Sequence, residues 1–403
     1  MVVGLSPPVE LLPVRGIRLA TARAGIKPSS SKEDLVLFEL DTQTSVAAVF
    51  TRNRFCAAPV TLSRSHLAAS KGIRYLLINS GNANAGTGEQ GLVNAELTCQ
   101  VVAEQGHCAV ESVLPFSTGV IGAQLPVEKI TATLPTLFAN LDNDNWLAAA
   151  KGIMTTDTVP KGISRQVLID GKTVTITGIS KGSGMIKPDM ATMLSYIATD
   201  ALIDTVELQT CLQQVVEQSF NAITVDGDTS TNDACVLMAT ATSGCRIDAS
   251  HSLFMQALQD VFQFLAQAII RDAEGATKFI EIQIEGAAST EDAREMAFTI
   301  AHSPLVKTAL FASDANWGRI LAAIGRARVS ALEIDHVDLY LGQLCLVEKG
   351  LPHPDYNEEK GHAEVLKDEI LIRVNLNLGS ANATVWTSDL TYDYVKINAE
   401  YRS

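Results

Sequence analysis

Basic residues are scarce in this sequence. Only 31 of the 403 residues are lysine or arginine, against 45 aspartates and glutamates, which leaves a net charge of −14. Nucleic acids and anionic membrane surfaces favour a basic face, so this balance argues against both as partners. No apolar run approaches the length of a membrane span, and the N-terminus lacks the basic-then-apolar pattern of a signal peptide. We therefore expect a cytoplasmic protein.

The cysteines and histidines are few and scattered. Seven of each occur, without a Cys-x-x-Cys pair, a His-x-x-x-His spacing or a mixed cluster. Such spacing predicts neither a zinc site nor a disulfide framework. We expect most of the cysteines to be small buried hydrophobes. A histidine base stays open as an alternative, but the spacing nominates no particular histidine.

Apolar residues, by contrast, make up 47% of the chain, and 19% of the residues are charged. This composition is typical of a well-packed globular protein. The length exceeds the size at which one core usually stops growing, so we expect two lobes. Short β-like runs alternate with helical patterns, which favours a mixed α and β fold with antiparallel strands. The clearest elements are a helix over Ser252–Arg271, a helix over 128–141 that Pro135 should break or kink, a hairpin over 166–177 and antiparallel strands over 369–386.

One loop combines glycines, lysines and a threonine that opens onto apolar residues. Residues 181–194 read Lys-Gly-Ser-Gly-Met-Ile-Lys-Pro-Asp-Met-Ala-Thr-Met-Leu. Gly182 and Gly184 permit unusual backbone angles, and Pro188 favours an extended conformation for the residue before it. This pattern indicates a loop that delivers Thr192 into a buried segment. The alternative is an ordinary connection into a core strand, which the residues alone leave open.

Two other polar loops invite ligand-binding interpretations that their spacing does not support. Residues 79–88 are rich in asparagine and glycine but lack the lysine and the spacing of a P-loop, so we do not predict nucleotide binding there. Residues 223–233 are rich in aspartate. Counting from Asp226 puts Thr231 at the sixth position and Leu237 at the twelfth, where a calcium-binding EF-hand needs glycine and glutamate. We interpret this second loop as structural, or as shaping a pocket.

Residues 185–194 match the motif Met-Ile-x-Pro-x-Met-Ala-Thr-Met-Leu without a gap. In this the chain resembles the ornithine acetyltransferase family, in which the motif is a self-cleavage site. Residues 79–85, 219–233, 303–311 and 314–320 also resemble family segments, and the resemblance extends from the first strands to the last residue. It implies cleavage between Ala191 and Thr192, which divides the chain into an α segment of residues 1–191 and a β segment of residues 192–403.

The resemblance also implies the catalytic residues. Thr192 is the expected nucleophile, and the α-amino group that cleavage frees is its expected base. A threonine hydroxyl needs an adjacent base, and an α-amine has a suitable reference pKa of about 7.7–8.0. The family's oxyanion hole is a Thr-Gly pair that corresponds to Thr118 and Gly119, although the residues alone favour a strand broken by a glycine turn. A hydroxyl and a backbone N–H can converge on an oxyanion, and glycine permits close approach.

The residues that the resemblance implies for substrate binding are Thr155, Lys181, Thr192, Glu274, Asn398 and Ser403. We expect Lys181 to meet the substrate α-carboxylate, Glu274 the ornithine ammonium, and Asn398 the side-chain carboxylate of glutamate. Family members carry glycine where this chain has Ala273, a departure that leaves Glu274 in place. From the pattern alone, Glu274 is a solvated carboxylate at a helix end, where a cation would be more favourable.

The implied reaction moves an acetyl group from N-acetyl-L-ornithine to L-glutamate through an acetyl-threonine enzyme, as a step of arginine biosynthesis. It requires no cofactor and no metal. Some family members also accept acetyl-CoA as the donor, and no feature of this sequence decides whether this chain does. The implied fold is a layered α+β sandwich of mixed and antiparallel sheets flanked by helices, with a smaller α/β lobe in the β segment (DmpA/ArgJ-like). The implied assembly joins two α and two β segments.

Two other functions stay open at this stage. Self-processing N-terminal threonine amidases and aminopeptidases use the same nucleophile but pass the acyl group to water. A shared fold does not settle which acceptor is used. A non-enzymatic metabolite-binding protein, the second alternative, would keep the bond between Ala191 and Thr192 intact.

Overall fold

Two β-sheets lie face to face in the larger lobe of the chain, and a third sheet forms the smaller lobe. The computed structural model describes residues 2–27, 31–187, 193–329 and 332–400. The strands in these ranges are β1 (Ile17–Ala22), β2 (Leu35–Leu40), β3 (Ser45–Phe50), β4 (Tyr75–Asn82), β5 (Val113–Val120), β6 (Lys161–Ile169), β7 (Lys172–Lys181), β8 (Leu194–Thr199), β9 (Ala234–Ala239), β10 (Phe279–Ala287), β11 (Asp338–Leu341), β12 (Leu344–Glu348), β13 (Leu351–Pro352), β14 (Glu369–Asn375) and β15 (Ala381–Ser388).

Helices pack on the outer faces of the two sheets of the larger lobe and on the sheet of the smaller lobe. Some begin at a capping side chain: Asp204 accepts hydrogen bonds from the backbone N–H groups of Val206 and Glu207, which the first turn of a helix leaves without partners. The helices in the described ranges are α1 (Ala58–Ala69), α2 (Gly88–Gly106), α3 (Val127–Ala139), α4 (Trp146–Gly152), α5 (Thr205–Glu217), α6 (Ser252–Arg271), α7 (Thr290–Ala301), α8 (Pro304–Phe311), α9 (Trp317–Gly325), α10 (Glu358–Val365) and α11 (Tyr392–Ala399).

The larger lobe is a four-layer sandwich. Its four-stranded sheet has the order β1-β2-β4-β5, and its five-stranded sheet has the order β3-β9-β8-β7-β6. Phe38, Phe116 and Tyr196 meet in the buried core between the two sheets. The outer face of the first sheet packs on α2 and α3, and that of the second packs on α5 and α6. Because both faces of each sheet are covered, several strands are apolar runs rather than alternating patterns.

The smaller lobe has a six-stranded sheet with the order β13-β12-β11-β14-β10-β15. Strand β10 lies between β14 and β15, parallel to the first and antiparallel to the second. The two strands predicted over 369–386 are therefore present, but they are not paired with each other. The sequence pattern shows which face of a strand is buried, whereas the choice of partner depends on chain segments far away in sequence.

The other predicted elements are present, with one difference. Strands β6 and β7 form the predicted hairpin, and α6 spans the predicted residues. Helix α3 continues past Pro135 instead of ending there. Pro135 lies on the exposed side of the helix. Because proline has no N–H, one carbonyl of the preceding turn lacks its usual donor, and water can donate a hydrogen bond to it instead. The layered α+β fold with a second, smaller lobe is confirmed.

The expectation that no apolar run approaches the length of a membrane span is wrong for one element: in the described ranges, helix α6 is long and apolar enough to cross a membrane. Most of its apolar side chains, among them Phe254, Leu258 and Leu265, are buried in the core beneath the five-stranded sheet. The same composition is expected of a helix in the interior of a globular protein. The apolar character of α6 is thus explained by packing within this chain.

The connection that carries the Thr192 motif leaves and re-enters one sheet. Lys181 ends β7 and Leu194 begins β8, and the two residues are directly opposite each other in an antiparallel pair. Residues 182–187 and Met193 of this connection are described, whereas Ala191 and Thr192 lie outside the described residues. The predicted boundary between α and β segments therefore falls between two neighbouring strands and not between the two lobes.

A buried lysine connects two elements of the smaller lobe. Lys307 of α8 donates hydrogen bonds to Thr387 Oγ1, at 2.9 Å, and to the backbone oxygen of Ser388 at the end of β15. Burial lowers the pKa of Lys307 to about 8, although Asp389 and Asp226 oppose that change. In the unfolded chain a lysine has a pKa of about 10.4. The folded protein therefore loses the Lys307 proton at a lower pH than the unfolded chain does.

Replacing Lys307 with methionine should change how stability depends on pH. Below about pH 8 both states keep the proton, so the cost of burying the charge is fully present. Between about pH 8 and pH 10.4 the unfolded chain binds more protons than the folded protein, so the free energy of unfolding rises with pH. From about pH 7 to pH 9.5 the wild type should gain about 2 kcal/mol relative to Lys307→Met in urea unfolding.

The exposed Lys360 of α10 provides the matched control. Lys360→Met should follow the wild type across the same pH range, because this substitution removes no buried charge. Parallel curves for the wild type and Lys307→Met would contradict a lowered pKa at Lys307.

Candidate active site

A cavity of about 290 Å³ lies beside α11, at the ends of strands β5 and β7. Its size is at the lower end of the range for small-molecule sites, about 300–1,000 Å³. Several elements that are distant in sequence contribute to its wall: β5, the loop after α4, β7, the loop after α6, and α11. The predicted site residues that line it are Thr118, Gly119, Thr155, Lys181, Glu274 and Asn398.

Three further predicted residues, Ala191, Thr192 and Ser403, lie outside the described residues. The neighbour of the predicted nucleophile is described: Met193 is buried and lines the cavity, as does Leu194. The motif therefore enters β8 at the wall of this cavity.

The Thr-Gly pair lies where β4 and β5 come closest together. Gly119 is opposite Gly81 in the parallel pair, and its φ of +135° is one that residues with a side chain rarely adopt. A Cβ on Gly119 would lie 2.3 Å from the carbonyl carbon of Gly81, so glycine is required there. Lys181 Nζ donates to Thr118 Oγ1 at 3.3 Å. A hydroxyl that accepts this bond keeps its own proton available for an acceptor in the cavity.

A fully buried cluster of one lysine and two carboxylates lies behind the cavity. Lys161 Nζ is 2.7 Å from Asp157 Oδ1 and 2.6 Å from Asp272 Oδ2. The Asp157 carboxylate also accepts hydrogen bonds from the backbone N–H groups of Thr155 and Gly182, at 2.9 and 2.7 Å. This Lys161 cluster therefore fixes the backbone at two points of the cavity wall.

The Lys161 cluster also extends towards Glu274, and its charges affect the pKa values of neighbouring groups in the cavity wall. Asp272 ends α6 two residues before Glu274. Burial alone would raise the pKa of Asp157, but Lys161 and Lys181 hold it well below its ordinary range. Burial lowers the pKa of Lys181, and the negative charge of Asp157 opposes that change. The acidic neighbours of Lys181 thus favour its charged form, whereas its burial disfavours that form.

Glu274 is held from both sides. Its backbone N–H donates to the Ser183 oxygen at 2.9 Å, and Asn398 Nδ2 donates to its Oε2, also at 2.9 Å. Gly184 packs directly against the carboxylate: a Cβ there would lie 2.4 Å from Glu274 Oε2. The second glycine of the motif thus makes room for Glu274. The arrangement also shows that Asn398 contacts Glu274, which the sequence did not predict.

The aspartate-rich loop contributes residues that sequence reasoning did not nominate. Asp233 lines the cavity, is buried, and has no hydrogen-bond partner for Oδ2 among the described residues. Burial raises the pKa of Asp233 well above its ordinary value. Asn232 donates to the backbone oxygens of Ala83 and Ser117, at 2.6 and 2.9 Å, and so joins this loop to β5. The sequence left this loop as either structural or pocket-shaping, and these contacts agree with the second interpretation. The only sequence signal for Asp233 is its position immediately before the buried strand β9.

Comparison with known proteins gives a consistent result. The sequence model of the ArgJ family matches residues 18–403. The chain is 50% identical to the arginine biosynthesis bifunctional protein ArgJ of Pseudomonas syringae pv. tomato over 100% of both chains, and 52% identical to that of Methylococcus capsulatus over 98% of this chain and 97% of the relative. It is also similar to the crystal structure of the Bacillus halodurans ArgJ protein, at 42% identity and a TM-score of 0.50, over 52% of this chain and 100% of the other.

Removing the lysine of the Lys161 cluster should strongly destabilise the fold. Lys161→Met leaves two buried carboxylates without their cation, which typically costs about 3–5 kcal/mol. The control is Lys172, an exposed residue at the start of β7. Lys172→Met should change the free energy of unfolding by less than about 0.5 kcal/mol. Urea unfolding of the two variants measures the difference. Equal effects would contradict the role given to the cluster.

Proposed function

The chain belongs to the ArgJ family and is an acetyltransferase of arginine biosynthesis, and we propose that Thr192 carries the acetyl group from N-acetyl-L-ornithine to L-glutamate. The observation that carries this proposal is the convergence of six family-implied residues on one cavity. They come from both sides of the predicted cleavage point, and Met193 lies among them. A metabolite-binding protein that stays uncut would not need this convergence beside the motif.

Self-cleavage needs only groups of the chain itself and water. Thr192 Oγ adds to the carbonyl carbon of Ala191, and the C–N bond breaks as a proton moves to the nitrogen, which leaves an ester and a free α-amine. Water then hydrolyses the ester to an Ala191 carboxylate and restores the Thr192 hydroxyl. The solved B. halodurans chain corresponds to about half of this chain, which supports two separate segments. The α-amine has a reference pKa of about 7.7–8.0, so it can act as a base near neutral pH.

The transfer then takes place in two halves. The α-amine accepts the Thr192 hydroxyl proton while Oγ attacks the acetyl carbonyl of N-acetylornithine. The Thr118 hydroxyl and the Gly119 N–H stabilise the tetrahedral oxyanion, and a donor of this kind is typically worth about 3–4 kcal/mol. Collapse returns the proton to the departing amine, releases ornithine and leaves an acetyl ester on Thr192. The glutamate amine attacks that ester, and Thr192 recovers its proton.

Recognition follows from the charges around the cavity. The Lys181 ammonium pairs with the α-carboxylate that both substrates carry, and the Glu274 carboxylate pairs with the side-chain amine of ornithine. Glutamate lacks that amine, and its side-chain carboxylate would repel Glu274. Asn398 donates to Glu274 in the free site, and it can donate to the glutamate carboxylate instead. Thr155 and Ser403 complete the predicted substrate contacts.

The scheme uses no organic cofactor and no metal. The association of two α and two β segments, and a cytoplasmic location, stay predictions from the family resemblance and the sequence. Acetyl-CoA remains a second donor to be tested alongside N-acetylornithine. Ornithine release that depends on glutamate distinguishes a transferase from an amidase that uses water.

A denaturing intact-mass spectrum tests self-cleavage. The purified wild type should give two species that divide between Ala191 and Thr192, and Thr192→Ala should give a single uncut chain, because it lacks the attacking hydroxyl. A wild type that stays uncut would remove the proposed base and with it the mechanism.

Steady-state kinetics test the role of Glu274. Glu274→Gln keeps the shape of the side chain but removes its charge, which should raise the KM for N-acetylornithine about 10- to 100-fold. The KM for glutamate should change by less than about threefold, since no favourable charge pair with that substrate is lost. The exposed Glu359 of α10 is the matched control, and Glu359→Gln should behave as the wild type. Equal KM changes for both substrates would refute the assignment.

A further inference from the structure

The backbone just before the predicted cleavage point is held by one carboxylate. Asp226 Oδ2 accepts a hydrogen bond from the backbone N–H of Met185 at 2.7 Å, and Oδ1 accepts one from the N–H of Ile186 at 2.9 Å. Two successive N–H groups that point to one anion form a backbone nest, an arrangement that binds carboxylates and phosphates well. Met185 has a φ of +53°, which a residue with a side chain adopts only when its surroundings impose it.

Neighbours of Asp226 hold the carbonyl groups of the same backbone. The Val225 N–H and the Thr224 hydroxyl donate to the Ile186 oxygen, at 2.7 and 3.0 Å. The Thr229 hydroxyl donates to the Lys187 oxygen at 3.1 Å. Four polar backbone groups of residues 185–187, two N–H groups and two carbonyl oxygens, are therefore hydrogen-bonded to a single loop. Lys187 is the last described residue before the motif's Pro188.

Asp226 also contacts the helix that carries Asn398. Tyr394 of α11 donates from its hydroxyl to Asp226 Oδ2 at 3.2 Å. Burial and the charge of Asp226 raise the pKa of Tyr394 above its ordinary value, so the phenol stays a donor at neutral pH. The carboxylate thus joins three parts of the chain: residues 185–186, its own loop, and α11.

We propose that Asp226 is a positioning residue for self-cleavage, which fixes residues 185–187 and thereby speeds the cleavage of the bond between Ala191 and Thr192. This inference rests on the proposed function. The contacts between residues 185–187 and this loop cross the predicted cut, since residues 185–187 belong to the α segment and Asp226 to the β segment. The same contacts hold Met185 and Ile186 in the wall of the cavity.

The experiment measures the rate of self-cleavage in Asp226→Asn. An asparagine at this position keeps the size of the side chain, but its amide presents an N–H₂ group to one of the two backbone N–H donors. Loss of a hydrogen bond to a charged group should slow an aligned reaction by about 10- to 100-fold. The uncut fraction is followed over time by denaturing intact mass, at a temperature well below the melting transition of each variant.

Asp228→Asn is the matched control. Asp228 lies in the same loop, is exposed, and contacts Asp226 through its backbone N–H rather than its carboxylate. We expect Asp228→Asn to be cleaved as fast as the wild type, and Asp226→Glu, which keeps the charge, to recover part of the rate lost in Asp226→Asn. A role limited to fold stability would lower the melting temperature without changing the cleavage rate of folded, uncut protein.

The outcomes separate this inference from the function on which it rests. If the wild type is cut and Asp226→Asn is cut at the same rate, Asp226 has no positioning role, while the acetyltransferase mechanism stands. If the wild type is uncut, the mechanism itself fails. Should Asp226→Asn not fold, Tyr394→Phe removes one hydrogen bond to the same carboxylate and should slow cleavage by about 3- to 10-fold. An unchanged rate in Tyr394→Phe would then overturn the inference.

Discussion

The buried ion cluster of Lys161, Asp157 and Asp272 is the constraint on which the site depends. Charges without solvent are stable only when each has a partner at close range, and here the partners come from β6, the loop before it and the end of α6. Because Asp157 also binds backbone N–H groups on the cavity wall, any movement of these elements would leave a buried charge unpaired. The cavity is thus kept open by electrostatics behind it rather than by apolar packing alone.

Around this fixed base, Lys181 and Glu274 each make one side-chain hydrogen bond to another side chain of the cavity wall, among the described residues. Lys181 reaches Thr118 at 3.3 Å, and Glu274 is held by an amide that can turn to another acceptor. Groups that hold the backbone are paired within the protein, whereas groups that face the cavity retain donors and acceptors for a ligand. Such a division gives a rigid site that still exchanges hydrogen bonds with two substrates of different charge.

Much of the site could be predicted from the sequence, because its residues occur in contiguous motifs such as Thr118-Gly119 and the run that ends at Leu194. The layered fold was predicted from the resemblance of these motifs to the ornithine acetyltransferase family. What could not be predicted were pairings between distant residues: Lys161 and Asp272 are separated by 111 positions, and nothing local marks them as partners. The insertion of β10 between β14 and β15, and the cavity position of Asp233, depend on tertiary packing in the same way.

The order of the five-stranded sheet has a consequence for the life of the polypeptide. Its strands β3, β7 and β6 precede the predicted cut, while β9 and β8 follow it, and β9 lies between β3 and β8. A ribosome that has made only the first 191 residues has therefore not yet supplied the middle of that sheet. Asp226, which binds the backbone of residues 185–186, emerges between β8 and β9, and Tyr394, which donates to Asp226, emerges only near the end of the chain. In the proposed mechanism, self-cleavage therefore waits until nearly the whole chain has been synthesised, so that only a chain that has completed its folding is cut.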